Sequence, residues 1–158
     1  MEHRDQLFLY VARLTGDSDN AADVVQETFA RLITRPPRNP GPLKPWLFAV
    51  ATNLARDEGR KRSRRLRVTR AHSGRQPMGD PPVDPETLAV QNDLKFRVRK
   101  ALDIIPTRDR EVLLLREHGF THRQIAEAVH TTEKSVGTMI ARALTKLEAV
   151  LELDREAI

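Results

Sequence analysis

Residues 121–147 read THRQIAEAVHTTEKSVGTMIARALTKL, two amphipathic segments separated by a short break. Thr121 and Gln124 stand at capping-box spacing ahead of Ile125, Ala126 and Val129, which marks the start of one helix. After His130 and Thr131, Thr132 can cap a last helix with Val136, Ile140, Ala143, Leu144, Leu147 and Leu151 on one face. Two helices joined by so short a turn read as helix-turn-helix. The polar residues near the start of the second helix, Thr132, Lys134, Ser135, Thr138 and Arg142, can enter a DNA major groove, which is about 12 Å wide and admits one helix. Phosphates can meet the unpaired amides at a helix start. Spacing alone leaves open a plain pair of core-packing helices, which any helical bundle contains.

Upstream, PETLAVQNDLKFRVRKALDII (85–105) repeats Leu94, Val98, Ala101, Leu102 and Ile105 every three or four residues until Pro106 stops it. Thr107 can cap a helix carrying Val112, Leu113 and Leu115 and ending near Gly119. Residues 71–85, AHSGRQPMGDPPVDP, gather Pro, Gly and polar residues and read as a linker between 1–70 and 86–158. Fifteen such residues average roughly 20 Å end to end if flexible and reach about 50 Å if extended. Before the linker, Ser18 or Asp19 can cap a helix to about Ile33 with Ala22, Val25, Phe29 and Leu32 at core spacing. The turn-rich TRPPRNPGPLKP (34–45) follows. A second helix from about Pro45 places Trp46, Leu47, Val50, Ala51 and Leu54 inward and Asn53, Arg56, Asp57, Arg60 and Arg64 outward. No alternating strand-like run occurs, so the fold class is all-α, two small helical domains on a flexible linker.

The 158 residues carry 27 Lys+Arg against 22 Asp+Glu, net +5. The charge is uneven: residues 1–75 hold 15 basic and 8 acidic groups, residues 76–158 hold 12 and 14. The basic run Arg60, Lys61, Arg62, Arg64, Arg65, Arg67 and Arg70 repels itself unless a polyanion neutralises it; a solvated tail is the plainer alternative. Asp23, Gln26 and Glu27 form a polar stripe that would repel DNA. It suits a protein partner or a simple solvated helix face.

Other classes are excluded or weak. No cysteine is present, which removes disulfides, thiolate zinc sites and cysteine nucleophiles. His118 and His122 have helical zinc-ligand spacing, but Gly119 and Thr121 interrupt the helix between them and no third ligand is evident. There is no phosphate-binding glycine loop and no assembly of nucleophile, base and orienter. The N-terminus MEHRDQLFLYVARLTG lacks signal-peptide character, and no run of eighteen apolar residues occurs. The expectation is a soluble, cytoplasmic, non-enzymatic protein with no metal and no cofactor.

Three segments together, RLTGDSDNAADVVQETFARL (13–32), PWLFAVATNLARDEGRKRSRR (45–65) and ALDIIPTRDREVLLLREHGFTHRQIAEAVHTTEKSVGTMIARAL (101–144), resemble the bacterial sigma factors of the extracytoplasmic-function group. The resemblance covers both halves in the right order. It implies binding to core RNA polymerase through Asp23, Gln26 and Glu27. It implies handling of the −10 element of promoter DNA by Asn53, Arg56, Arg60, Lys61 and Arg64. It implies reading of the −35 element by Lys134, Ser135, Thr138 and Arg142, with Thr132 at the helix start and Arg123 on phosphate. An anti-sigma partner is also implied. The acidic balance of the second half fits a reading module held beside DNA by a larger partner, since tethering raises effective concentration.

The sequence departs from the family at Gly59, where a larger apolar residue is usual and where the −10 helix is expected to bend or fray. Gly137 and Met139 replace residues that are commonly basic, and His130 replaces a common turn glycine. The first helix looks short, from a truncated start or a reduced N-terminal helix. The alternatives are a freestanding helix-turn-helix regulator with a basic DNA arm and an adaptor that sequesters a regulator.

Overall fold

The structure, a computed structural model, describes residues 2–38, 41–68 and 89–156, with side chains from 3 to 66 and 93 onward within those ranges. The linker expected at 71–85, and with it Arg70, lies outside the described residues. Among the described residues seven helices run in order: α1 (Glu2–Thr15), α2 (Ser18–Thr34), α3 (Leu43–Val68), α4 (Ala89–Ile104), α5 (Thr107–Glu117), α6 (His122–Val129) and α7 (Glu133–Glu156). No strand occurs among the described residues. The chain divides into two compact units, one built on α1–α3, the other on α4, α5, α7 and most of α6.

In the first unit α1 ends at Gly16, whose φ of +70° a side chain would disfavour and whose N–H donates to Ala12 O at 2.8 Å. Asp17 then caps α2, accepting from Asp19 N at 3.0 Å and Asn20 N at 3.2 Å. The cap is one residue earlier than Ser18 and two earlier than Asp19, the positions expected, because an Asp carboxylate at 17 already reaches both orphan amides. The buried face of α2 is Ala21, Val24, Val25 and Thr28. Of the expected set Ala22, Val25, Phe29 and Leu32, only Val25 is buried; Ala22 is exposed and Phe29 and Leu32 are half-buried. The shift follows from Thr28, whose hydroxyl donates to Val24 O at 2.7 Å and is thereby able to enter the core.

Thr52 does the same on α3, bonding Phe48 O at 2.7 Å and the buried Tyr10 hydroxyl at 2.8 Å. The Tyr10 and Phe48 rings lie 5.1 Å apart, within aromatic-pair range. Leu47, Phe48, Ala51, Thr52 and Ala55 form the buried stripe of α3, while Trp46, Val50 and Leu54, expected inward, sit half-buried at its edge. The helix starts at Leu43, two residues before Pro45, because a proline in the first turn loses only an amide that has no intrahelical acceptor. It continues through Gly59 without a break, contrary to the expected fraying.

In the second unit α4 and α5 meet at Pro106, which occupies the N-cap position without a side-chain bond; Thr107 is the first helical residue rather than the cap. Arg110 supplies what is missing at the corner. Its side chain is buried, and Nε donates to Leu102 O at 2.6 Å while Nη2 donates to Asp103 O at 3.0 Å and Ile105 O at 3.1 Å. These are carbonyls at the end of α4 that have no helical partner. The core of this unit includes Ala101, Leu102, Ile105, Val112, Leu114, Leu115, Ile125, Ala126, Val136, Ile140 and Ala143. Leu94 and Leu144, expected inside, are 62% and 47% exposed, and Val98 and Leu113 are half-buried. The buried line of α7 advances from Val136 to Ile140 to Ala143, which turns Leu144 toward its flank. Ion pairs from Arg97 to Asp154 at 3.0 Å and Lys146 to Asp109 at 2.8 Å tie α7 to α4 and α5.

The turn in the expected helix-turn-helix is present. Thr121 and Gln124 form a reciprocal capping box, with Thr121 N donating to Gln124 Oε1 at 2.9 Å and Gln124 N to Thr121 Oγ1 at 3.2 Å. α6 closes at His130 with φ 57°, a left-handed residue where glycine would be unstrained. Thr131 N then donates back to Ala126 O at 3.0 Å.

Candidate nucleic-acid and protein interfaces

Three exposed polar faces arise from this packing. On α2, burial of Ala21, Val24, Val25 and Thr28 turns Asp23, Gln26 and Glu27 together to solvent. Glu27 is paired within its helix, Oε1 lying 3.4 Å from Arg31 Nε, an exposed contact of small strength. Ala30 and the 83% exposed Ile33 continue the same face.

On α3, Ala55 is the last buried residue, and from Asp57 onward the described helix leaves the core. The expected nucleic-acid residues therefore split. Asn53 and Arg56 are half-buried on the packed part, whereas Arg60, Lys61 and Arg64 are exposed on the extension. Lys61 Nζ lies 3.7 Å from Glu58 Oε1. Arg62 donates instead to Asp17 Oδ2 at 2.9 Å, which anchors the extension to the start of α2. The Asp17 carboxyl is held below its ordinary value first by the Asn20 N–H, then, against a partial cost of burial, by the hydrogen bond and charge of Arg62 and by the Asp19 N–H.

On α7, Val136, Ile140 and Ala143 are buried and Lys134, Thr138 and Arg142 are exposed. Their i, i+4, i+8 spacing sets the three polar residues in one line. Thr132 and Ser135 bond each other at the helix entry, with Ser135 N donating to Thr132 Oγ1 at 3.3 Å and the two hydroxyls 2.7 Å apart. Arg123 is exposed near the start of α6. The structure thus brings Lys134, Ser135, Thr138 and Arg142 onto α7, with Thr132 immediately before it and Arg123 on the preceding helix.

Asp17, Arg62 and His122 were not among the expected site residues. The cap was expected at Ser18 or Asp19 rather than at Asp17, and nothing local signals a partner 45 residues away. His122 stands in the first turn of α6, and a Cβ on Gly137 would lie 3.8 Å from its Cε1. No group of three metal-ligating side chains occurs among the described residues. No described helix is long and apolar enough to cross a membrane.

Comparison with known proteins matches residues 1–65 to the sigma-70 region 2 family and residues 95–147 to the sigma-70 region 4 family. The ECF RNA polymerase sigma factor EcfG of Rhodopseudomonas palustris is 30% identical over 92% of this chain and 78% of its own. SigE of Mycolicibacterium smegmatis is 30% identical over 95% of this chain. SigG of Mycobacterium tuberculosis is 30% identical over 94% of it. The chain spans 59% of the length of SigE and 46% of that of SigG. The fold is shared with the sigma factor RpoE of Bartonella quintana, solved with the anti-sigma factor NepR, at TM-score 0.79 and 22% identity over 97% of this chain and 94% of that one. It is shared also with CnrH, solved with the cytosolic domain of CnrY, at TM-score 0.66 and 24% identity over 97% and 84%.

Proposed function

The chain belongs to the ECF RNA polymerase sigma factors, and from that membership we propose that it binds core RNA polymerase and directs it to promoters through contacts to their −10 and −35 elements. The reading treats 1–70 and 86–158 as two domains on the linker 71–85. The observation that carries it is the sidedness of α7: Val136, Ile140 and Ala143 buried, with Lys134, Thr138 and Arg142 exposed in one line. A helix so oriented, behind a capped α6 and a tight turn, offers side chains at the spacing that major-groove base edges require.

In this account the α2 face of Asp23, Gln26 and Glu27 docks on the polymerase. An acidic surface on a basic domain suits a protein with positive charge and disfavours DNA at the same spot. Asn53 and Arg56, braced by the core, contact the −10 element, and Arg60, Lys61 and Arg64 neutralise phosphates of its opened strand. Lys134, Ser135, Thr138 and Arg142 read the −35 duplex, with Thr132 at the helix entry and Arg123 on a phosphate. The nucleotide chemistry belongs to the polymerase, so the chain itself needs no catalytic residue, metal or cofactor, and it works in the cytoplasm.

We extend to this chain a partner of the kind seen with RpoE and CnrH, an anti-sigma factor that covers the polymerase-binding faces. The experiment that tests the function is transcription by purified core polymerase with the full chain added, on promoters selected from random DNA by the reconstituted holoenzyme. Sequence-specific initiation dependent on the chain supports it. Sequence-specific DNA binding by the chain alone, with no effect on the polymerase, would instead mark a freestanding regulator.

A further inference from the structure

We infer that His122 is a specificity-determining residue of the −35 interface, occupying the role that a side chain at position 137 would otherwise fill. The inference rests on the proposed function above and deepens it. Gly137 lies inside the 24-residue helix α7, exposed, to one side of the line of Lys134, Thr138 and Arg142. Glycine in such a place is destabilising relative to alanine. Nothing within the described chain requires it. Its φ is not positive, and a Cβ there would meet His122 Cε1 at 3.8 Å, which is ordinary contact.

The missing side chain therefore has its effect outside the protein's own packing. It leaves bare the flank of α7 beside the line of Lys134, Thr138 and Arg142, on the side next to α6, and the group standing against that bare flank is the exposed imidazole of His122. The capping box of Thr121 and Gln124 fixes the turn from which it projects. An imidazole offers a donor and an acceptor in one plane, a pattern that suits base edges in the major groove, where a glycine offers none. The first helix of the motif thus supplies a reading group beside a position where the second offers none. Arg123, next in sequence, is the residue assigned to phosphate, so adjacent positions on α6 divide positioning from reading.

The test is selection of −35 duplex sequence by holoenzyme reconstituted from core polymerase and the full chain, comparing the unsubstituted protein with His122→Ala, Gly137→Ala and the double variant. Loss of roughly tenfold discrimination at one base pair in His122→Ala, with preferences elsewhere kept, is expected. Gly137→Ala should alter preference at the same base pair while its melting temperature does not fall. The double variant should show less than the sum of the two effects. Unchanged preferences at every position in His122→Ala overturn the inference, whether affinity is kept or falls uniformly as for a phosphate contact. Absence of any promoter preference in the unsubstituted holoenzyme overturns both this inference and the function on which it rests.

Discussion

Arg62 Nη2 donates to Asp17 Oδ2 at 2.9 Å, so one residue of the basic run is committed to the N-cap of α2. The contact joins the helix that bears Asp23, Gln26 and Glu27 to the helix that bears Arg60, Lys61 and Arg64. The pair is partly exposed, with side-chain exposures of 54% for Arg62 and 25% for Asp17. Its coupling in a double-mutant cycle of Asp17→Asn and Arg62→Ala should accordingly be about 0.2–1 kcal/mol. Asn at 17 retains a capping oxygen, so the cycle separates the charge from the cap.

The same carboxyl gives a pH dependence of known sign. Its folded pKa lies below the ordinary 3.8. The resulting stability is fully present above the unfolded value and is lost as pH falls through the folded one. Urea unfolding at pH 6 and pH 3 should show the unsubstituted protein losing more stability than Asp17→Asn. Equal losses would remove Asp17 as a source of acid sensitivity.

Charge reversal of the α2 face, Asp23→Lys with Glu27→Lys, should weaken binding to core polymerase by tenfold or more, an effect of about 1.4 kcal/mol or larger. The positions are exposed, and the Glu27–Arg31 pair lost with them is an i,i+4 contact worth about 0.3–0.5 kcal/mol. The melting temperature should therefore move little. Unchanged polymerase affinity would separate this face from docking.

Replacing Arg60, Lys61 and Arg64 together by Ala should flatten the salt dependence of binding to single-stranded −10 DNA. Three fewer phosphate contacts lower the slope of log affinity against log salt by about 2, at roughly 0.7 per contact. Arg62→Ala should change the slope less, because its guanidinium is engaged by Asp17.

Arg110→Ala should destabilise the second unit by about 2–4 kcal/mol, since it strands the buried carbonyls of Leu102 and Ile105 at the end of α4. Denaturant unfolding of the full chain should show the transition of this unit shifted and that of the α1–α3 unit in place. Loss below about 1 kcal/mol would mean that water replaces the guanidinium without penalty.

Much of the fold is legible in the residues because helix signals are local. Thr121 and Gln124 announce their capping box, Pro106 ends α4, and Val136 and Ile140 fix the inner side of α7. The same pattern placed Asp23, Gln26 and Glu27 together on the outside. What misled is the use of apolar residues alone to find the core. Thr28 and Thr52 are buried because their hydroxyls bond the preceding turn, a solution that hydrophobic spacing does not register. Arg110 looks like a surface residue in sequence and becomes a buried cap only when two helices meet at a corner. Leu94 and Leu144 fit the helical period, yet a position in the right period is buried only where a neighbouring helix covers it. Contacts across the chain, Arg62 to Asp17 and His122 beside Gly137, depend on tertiary placement and have no local signature.

On the proposed function, the exposed line of α7 reads promoter DNA while the polymerase holds the chain in place. This is tested most directly by open-complex formation with purified core polymerase and either the unsubstituted chain or a variant with Lys134, Thr138 and Arg142 all changed to Ala. The unsubstituted chain should open selected promoters, and the variant should keep its polymerase affinity but lose its preference for the −35 sequence. A variant that retains that preference would contradict it.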